Sequence, residues 1–241
     1  NDKQDEILIG TLSREDSKNY YVDLGRAHGV LPKDEIIPGE KLVMGSSIKV
    51  YVSKIEFGTK GVFILLSRSH YGFVKRLLEN EIPELSDGTV ILYSVARDAG
   101  NRSKIAVYSP NENIDPVGSC VGQKGVRIQN IINELHGEKI DVIEWNEDPT
   151  VFIASALLPA QVLAVDVKDE EKFAQVIVPD DQLSLAIGKS GQNARLAAKL
   201  TNWKIDIKSE SQFRKMLEES QEIPSEETEE VEETESTDEN A

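Results

Sequence analysis

Two short glycine motifs lie 66 residues apart in this 241-residue chain. The first is Gly122-Gln123-Lys124-Gly125, and the second is Gly188-Lys189-Ser190-Gly191. Glycine lets a ligand approach the backbone closely, and the start of a following helix offers unpaired N–H groups to a phosphate. Each motif also carries one lysine between its glycines. The spacing and residue types therefore predict two phosphate-binding loops.

Each loop is expected to join two helices at a tight corner. Asp115 and Pro116 have the roles of helix N-cap and first helical residue before the first loop, and Asp181 offers the same cap before the second. After the first loop, apolar residues recur with the spacing of one helix face at Ile128, Ile131, Ile132 and Leu135. A third motif, Gly58-Thr59-Lys60-Gly61, lies between two strand patterns and instead predicts a hairpin turn.

The elements around the two loops repeat as a module of about 70 residues. Its order is helix, strand, strand, helix, loop, helix, strand. The first module runs from a helix at residues 71–81 to a strand at 139–144, and the second from a helix near 150–158 to a strand at 204–208. Only residues 146–150 separate the modules, and so short a joint predicts a rigid tandem. Before them, residues 7–67 have the pattern of five short strands, which predicts a small closed barrel of the OB type.

The modules resemble K homology (KH) domains of the bacterial, type II arrangement, whose Gly-x-x-Gly loop holds the backbone of about four nucleotides. The phrases DPVGSCVGQKG (residues 115–125), GEKID (137–141) and QLSLAIGKSGQNARLAAKL (182–200) carry this resemblance. A barrel of the S-one ribosomal-protein type followed by two KH modules is similar to the NusA family of bacterial transcription factors. The resemblance covers about residues 7 to 210.

The resemblance implies an α+β multidomain fold, in which a five-stranded OB-type β-barrel precedes two type II KH α/β modules in rigid tandem. The expected domains are the barrel at residues 1–69, the first KH domain at 70–145, the second at 146–217 and a disordered acidic tail at 218–241.

The function that the resemblance implies is binding of single-stranded nascent RNA, which influences pausing, termination and antitermination by RNA polymerase. The family's N-terminal domain, which contacts RNA polymerase, has no counterpart here, so we expect polymerase contact only in a longer protein. Other antitermination factors are further expected partners. The alternative is an RNA-binding accessory module of an RNA-turnover enzyme, although such an enzyme has one KH module, placed before the barrel. We expect no enzymatic activity and no cofactor.

The residues expected to contact RNA lie in and beside the two loops. At the first loop they are Val121, Gly122, Gln123, Lys124, Gly125 and Arg127, and at the second they are Ile187, Gly188, Lys189, Ser190, Gly191, Gln192, Asn193 and Arg195. The apolar floor of each cleft is expected to come from Val117, Cys120, Val121 and Ile128, and from Leu183, Ala186, Ile187 and Ala194.

Two tyrosines of the barrel are further candidates. Strand alternation assigns Tyr21 and Tyr51 to the outer face of the barrel, opposite Val22 and Val50. There they are predicted to stack on RNA bases, as aromatic side chains do on OB barrels. Half-exposed tyrosines with no ligand are the alternative.

The acidic composition does not exclude a nucleic-acid partner. The net charge is −16, but residues 218–241 contain 12 Asp or Glu and no Lys or Arg. Residues 182–208, which include the second loop, carry five basic residues and one acidic residue, and the local charge decides binding of a polyanion. The tail is expected to be a solubilising end, or else a competitor that covers the basic KH surface.

The remaining composition indicates an ordinary intracellular protein. The single cysteine, Cys120, excludes an internal disulfide and fits a reducing compartment, so we expect a cytoplasmic location. His28, His70 and His136 lack partners at ligand spacing, and we expect no metal site. No apolar run is long enough to span a membrane, and the chain is expected to be a monomer.

Overall fold

The computed structural model describes residues 3–59 and 61–221 of the chain. Its first part is a closed barrel in which the strands pair in the order β1-β2-β3-β5-β4, which confirms the predicted five-stranded barrel. The strands are β1 Ile7–Glu15, β2 Asn19–Asp23, β3 His28–Pro32, β4 Ser47–Gly58 and β5 Gly61–Ser67. Gly58 pairs with Gly61 where β4 and β5 meet, so the strands on either side of the third glycine motif form a hairpin, as predicted.

The barrel core follows the period-two alternation of its strands. Val22, Leu31, Val50 and Leu66 are all fully buried inside the barrel. On the outer face of β4, Tyr51 is also buried, because the first helix of the next domain packs over it. The barrel therefore shares a second apolar core with the domain that follows it.

The first KH module has the predicted element order, with one additional short helix. Its elements are α1 Tyr71–Glu81, α2 Pro83–Ser86, β6 Ile91–Asp98, β7 Arg102–Tyr108, α3 Pro116–Val121, α4 Val126–Glu134 and β8 Lys139–Glu144. The sheet has the order β6-β7-β8, in which β6 is antiparallel and β8 parallel to β7. Helix α2, which starts at Pro83, was not predicted because a four-residue helix shows no periodicity.

The second KH module repeats this arrangement. Its elements are α5 Pro149–Ala156, β9 Ala164–Lys168, β10 Phe173–Val178, α6 Leu183–Ile187, α7 Gln192–Thr201 and β11 Lys204–Ser209. The expected cap at Asp181 is wrong: a 3-10 turn, Asp180–Gln182, leads into α6, and Gln182 precedes it without a side-chain cap.

A last helix, α8 Glu210–Gln221, follows the second module. It includes residues 218–221, so the predicted start of the disordered tail at residue 218 is wrong. The amphipathic pattern of the helix extends beyond the point at which acidic residues begin to dominate. The rest of the predicted tail, residues 222–241, lies outside the described residues.

The two KH modules pack directly against each other. One face of the first module's sheet covers its own helices, with Ile105 and Val107 in that core. The opposite face presents Ala96, Ala106 and Ile143 to the core of the second module. Small alanine side chains let a neighbouring helix lie close to the strands, so the two modules share one apolar core.

Among residues 3–59 and 61–221, no helix is both long enough and apolar enough to cross a membrane.

Candidate nucleic-acid interface

The first loop (residues 122–125) is a sharp corner between α3 and α4. The Asp115 carboxylate caps α3 by accepting the Gly118 N–H at 2.9 Å, as predicted. Gly122 then turns the chain with φ 75° and ψ 173°, and Lys124 and Gly125 both have left-handed φ values of 53° and 75°. Helix α4 starts immediately afterwards.

The second loop (residues 188–191) has the same conformation. Gly188 has φ 77° and ψ 169°, Ser190 has φ 53° and Gly191 has φ 73°. In each loop the last glycine donates its N–H to the carbonyl of the first at 3.1 Å. The two loops therefore agree within a few degrees at each of these positions, although their middle residues differ.

The first glycine of each loop is required by packing. A methyl group on Gly122 would lie 2.7 Å from Cγ of Arg127, and one on Gly188 would lie 2.8 Å from both Cβ and the backbone N of Asn193. Gly125 and Gly191 have open space around them, and only their positive φ favours glycine. The first glycine thus lets the second helix fold back against the corner.

The solvent side of each loop offers hydrogen-bond donors to an anion. Gln123, Lys124, Lys189 and Ser190 are all exposed. Within the described residues, neither α4 nor α7 has a side-chain cap or an acidic residue in its first turn. The first N–H of each helix is already used, since Val126 donates to the carbonyl of Gln123 and Gln192 to that of Lys189. Each helix still directs the positive end of its dipole at its loop. This arrangement suits a phosphate at each loop.

Arg127 is held inside the first corner. Its Nη1 donates to Oε2 of Glu84 at 2.8 Å and to the carbonyl of Ser119 at 2.7 Å. The guanidinium therefore fastens α4 to α3 and to the short helix α2. Any contact of Arg127 with RNA is made beside this carboxylate.

Asn193 occupies the equivalent position in the second module, and the expectation that it contacts RNA is wrong. Its side chain is buried, with 4% of the residue exposed, and Nδ2 donates to the carbonyls of Leu157 and Ala186 at 3.0 Å each. Its neighbour Gln192 is directed to the first module, where Nε2 donates to Oδ2 of Asp98 at 2.6 Å. Arg195 is exposed and lies 3.3 Å from the Ser190 carbonyl.

The apolar floor differs from the expectation at two positions. Cys120 and Ala186 are fully buried beneath the corners, so they support the helices and do not line a surface. Burial raises the pKa of the Cys120 thiol to about 12. Val121 is half-buried, whereas Ile187 is 37% exposed beside the second loop.

A surface cleft of about 860 Å³ adjoins the first loop. Only Gly122, Gln123 and Arg127 of its eleven lining residues were among the predicted contacts, and those that were missed include Thr89, Asn113 and Val126. Val126 is 56% exposed and directly follows the glycine motif, a position that the sequence could have indicated. Asn113 is only nine residues before the motif, whereas Thr89 is 33 residues before it and reaches it only through folding.

The barrel tyrosines have different environments. The expectation for Tyr51 is wrong, because only 5% of it is exposed, its ring stacks on His70 at 5.0 Å, and its hydroxyl donates to Asp5 at 2.7 Å. Strand alternation correctly predicts that Tyr51 is on the outer face of β4, but it cannot predict that helix α1 covers this face. Tyr21 remains half-buried at the surface, with the Arg14 guanidinium 3.9 Å from its ring centroid.

Comparison with protein families gives two matches. Residues 68–145 match the NusA-like first KH domain, and residues 149–215 match the NusA-like second KH domain. Together the two matches cover more than half of the chain.

Three curated relatives share one name. The chain is 56% identical over 215 residues to the transcription termination/antitermination protein NusA of Halalkalibacterium halodurans, which covers 89% of this chain and 56% of that protein. The protein of the same name from Bacillus subtilis is also 56% identical over 215 residues, and the aligned part covers 89% of this chain and 58% of that protein. For that of Thermus thermophilus, identity is 47% over 205 residues, with 85% and 53% coverage.

The chain thus spans little more than half the length of these relatives. Their names are those of transcription termination/antitermination proteins, not of the RNA-turnover enzymes considered as the alternative. The α+β fold of a barrel followed by two KH modules is confirmed. Both KH matches in this order, with about half of all residues identical over nearly nine tenths of the chain, show that it belongs to the NusA family.

Proposed function

We propose that this chain binds single-stranded RNA through its two loops and, within a longer protein, modulates pausing, termination and antitermination by RNA polymerase. The observation that carries the proposal is the duplicated loop geometry. Each loop exposes a lysine beside a helix N-terminus that has no side-chain cap, and the backbone angles agree closely between the two loops.

The loops bind the RNA backbone, and the neighbouring surfaces read its bases. Lys124 and Lys189 supply the charges, and the positive ends of the two helix dipoles favour phosphate at each loop. Beside the first loop, Thr89 and Asn113 line a cleft that also contains exposed Val126, which suits a base with polar edges and an apolar face. Each module then holds about four nucleotides, and the tandem holds a longer strand.

The proposed function implies two kinds of partner, an RNA and other proteins of transcription. The RNA is the nascent transcript, while RNA polymerase and other antitermination factors are engaged by the longer protein. Of the barrel candidates, Tyr21 is the residue retained for RNA contact. We further propose that the chain is monomeric and acts in the cytoplasm.

The test is binding of a fluorescently labelled single-stranded RNA by anisotropy over a salt series. The variant is Lys124→Asp with Lys189→Asp, and Asp tolerates the left-handed φ at residue 124. We expect affinity to fall at least about tenfold. The slope of log K against log salt should decrease by about 1.4, because single-stranded RNA releases about 0.7 counterion for each phosphate contact.

The matched control changes the same charge elsewhere. Lys41→Asp with Lys168→Asp replaces two exposed lysines that belong to neither loop. We expect this control to lose much less affinity than the loop variant. Equal losses in the two variants would assign the effect to net charge and overturn the proposal.

A further inference from the structure

Lys104 is a fully buried lysine at the contact between the two KH modules. It lies on β7 two residues before Ala106, so both side chains are on the sheet face that packs against the second module. None of its surface is exposed, although lysine is among the residues least often buried. Burial lowers the pKa of its ammonium group despite the nearby carboxylate of Asp141.

The Lys104 ammonium group joins the two modules. Its Nζ donates to Oδ2 of Asp141 in the first module at 2.9 Å and to the carbonyl of Leu158 in the second at 2.7 Å. Arg102 holds Asp141 from the other side, with distances of 2.7 and 2.9 Å to its two oxygens. The acceptor at Leu158 belongs to the turn that follows α5.

The same turn is hydrogen-bonded to the segment that follows the second loop. The carbonyl of Leu157, next to that of Leu158, accepts from Nδ2 of Asn193. Asn193 lies two residues after the loop. It also donates to the carbonyl of Ala186, which lies two residues before the loop. Two adjacent carbonyls therefore connect the second loop, through buried donors, to a strand of the first module.

Helix α7 lies along β6 and adds two further contacts between the modules. Gln192, at its start, donates to Asp98, and Ser94 donates from β6 to the carbonyl of Leu200 near its end at 2.9 Å. Apolar contacts between these elements are non-directional and tolerate sliding. A buried ammonium group does not tolerate such sliding, because its charge is stabilised only where it can donate to both acceptors.

We propose that Lys104 is a positioning residue that fixes the second loop relative to the first, so that the two loops act as one continuous RNA site. This inference rests on the proposed function and adds the determinant of its geometry. Lys104 makes no contact with RNA itself and acts through the turn at residues 157–158 and through Asn193.

The experiment compares two RNA lengths. The variant is Lys104→Met, which keeps the length of the side chain and removes the charge. A strand of about four nucleotides occupies one module, and one of about ten engages both. We expect short-strand affinity to change less than twofold and long-strand affinity to fall about tenfold, because the advantage of linked sites requires correct geometry. Lys139→Met, at an exposed lysine of the same module, is the matched control.

A direct measurement of geometry accompanies binding. Spin labels at Gln129→Cys in the first module and Lys199→Cys in the second report the distance between modules without RNA, since both sites are exposed and Cys120 is buried. We expect a narrow distance distribution in the parent chain and a broader one with Lys104→Met. If this variant does not fold, Lys104→Met with Asp141→Leu removes the buried pair together and asks the same question.

The outcomes separate the inference from the function on which it rests. Loss confined to the long strand, with a broader distribution, supports the inference. Unchanged long-strand affinity with an unchanged distribution overturns it and leaves the proposed function intact. If the parent chain binds neither strand, the proposed function fails and this inference fails with it.

Discussion

Arg68, directly after the barrel, forms a buried ion pair with Glu40 from the loop between β3 and β4. Arg68 Nη2 lies 2.9 Å from Glu40 Oε2, and their side chains are 2% and 0% exposed. The same guanidinium reaches Oε1 of Glu134 on α4 at 3.3 Å. A charge cluster therefore fixes the first KH module to the barrel.

Arg68→Met should destabilise the protein strongly, because it leaves the Glu40 carboxylate buried without its arginine. The Ile37 N–H and the exposed His136 ring, which also contact this carboxylate, do not replace a buried guanidinium. The expected loss is about 3–5 kcal/mol in the free energy of unfolding, measured by urea titration. Lys33→Met is the matched control, since it removes the exposed pair between Lys33 and Glu15. A loss no larger than that of the control would contradict the assignment.

Gly188→Ala should cost more stability than Gly191→Ala. At residue 191 the cost is about 1–2 kcal/mol, from positive φ alone, whereas at residue 188 the new methyl also collides with Asn193 and the cost is about 3 kcal/mol. Thermal and urea unfolding of both variants measure the difference. Equal costs would mean that the corner relaxes around the added methyl group.

Tyr51→Phe should leave RNA affinity unchanged and lower stability by about 1 kcal/mol. The substitution removes the hydrogen bond to Asp5 but keeps the ring buried against His70. Anisotropy with single-stranded RNA and urea unfolding on the same sample are the two measurements. A fall in RNA affinity without a fall in stability would instead indicate that Tyr51 contacts RNA.

Acidification should loosen α8. Hydrogen bonds from the side chain and backbone of Ser211 hold the pKa of Asp180 below its usual range. A lowered pKa in the folded state gives stabilisation that is present above the unfolded value and is lost as pH falls, here below about pH 4. Hydrogen exchange, corrected for intrinsic rates, should show faster exchange in α8 than in α7 as pH decreases.

Asp180→Asn is the control for this pH effect. It should make exchange in α8 fast at neutral pH and nearly independent of pH. Constant protection of α8 down to about pH 3 in the parent chain would show that other contacts hold the helix.

Removal of residues 222–241 should raise affinity for RNA at low salt. This segment carries ten acidic and no basic residues, and a tethered polyanion competes with RNA for the basic loops. The gain should vanish at high salt, where exposed charges are screened. Anisotropy of the truncated chain measures it, with an uncharged tail of equal length as control. Equal affinity at every salt concentration would exclude competition.

The sequence predicted those elements whose pattern reflects their own burial. Helix α1 and strand β8 have the expected bounds, because their apolar residues recur with a clear period. The two corners were also predictable, since Gly-x-x-Gly between helix patterns leaves few conformations. Helix α2 is set by one proline and is too short for a periodic signal.

The positions of individual side chains were less predictable, because they depend on neighbours distant in sequence. Alternation assigns Tyr51 to the outer face, but α1 covers that face from another domain. Asn193 follows a binding loop, but a turn 36 residues earlier supplies its partner. Arg127 has a suitable charge, but Glu84 holds it. Local sequence gives the loop, and tertiary structure decides which side chains remain free to bind.

The alanine face of the first KH sheet has a consequence for how this chain is divided. Ala96 and Ala106 are buried in a core whose other members come mostly from the second module. A fragment that ends near Trp145 would expose this face to water and to other copies of itself, and it should aggregate or unfold at a lower temperature. The unit that recurs in the sequence should therefore be smaller than the unit that folds cooperatively.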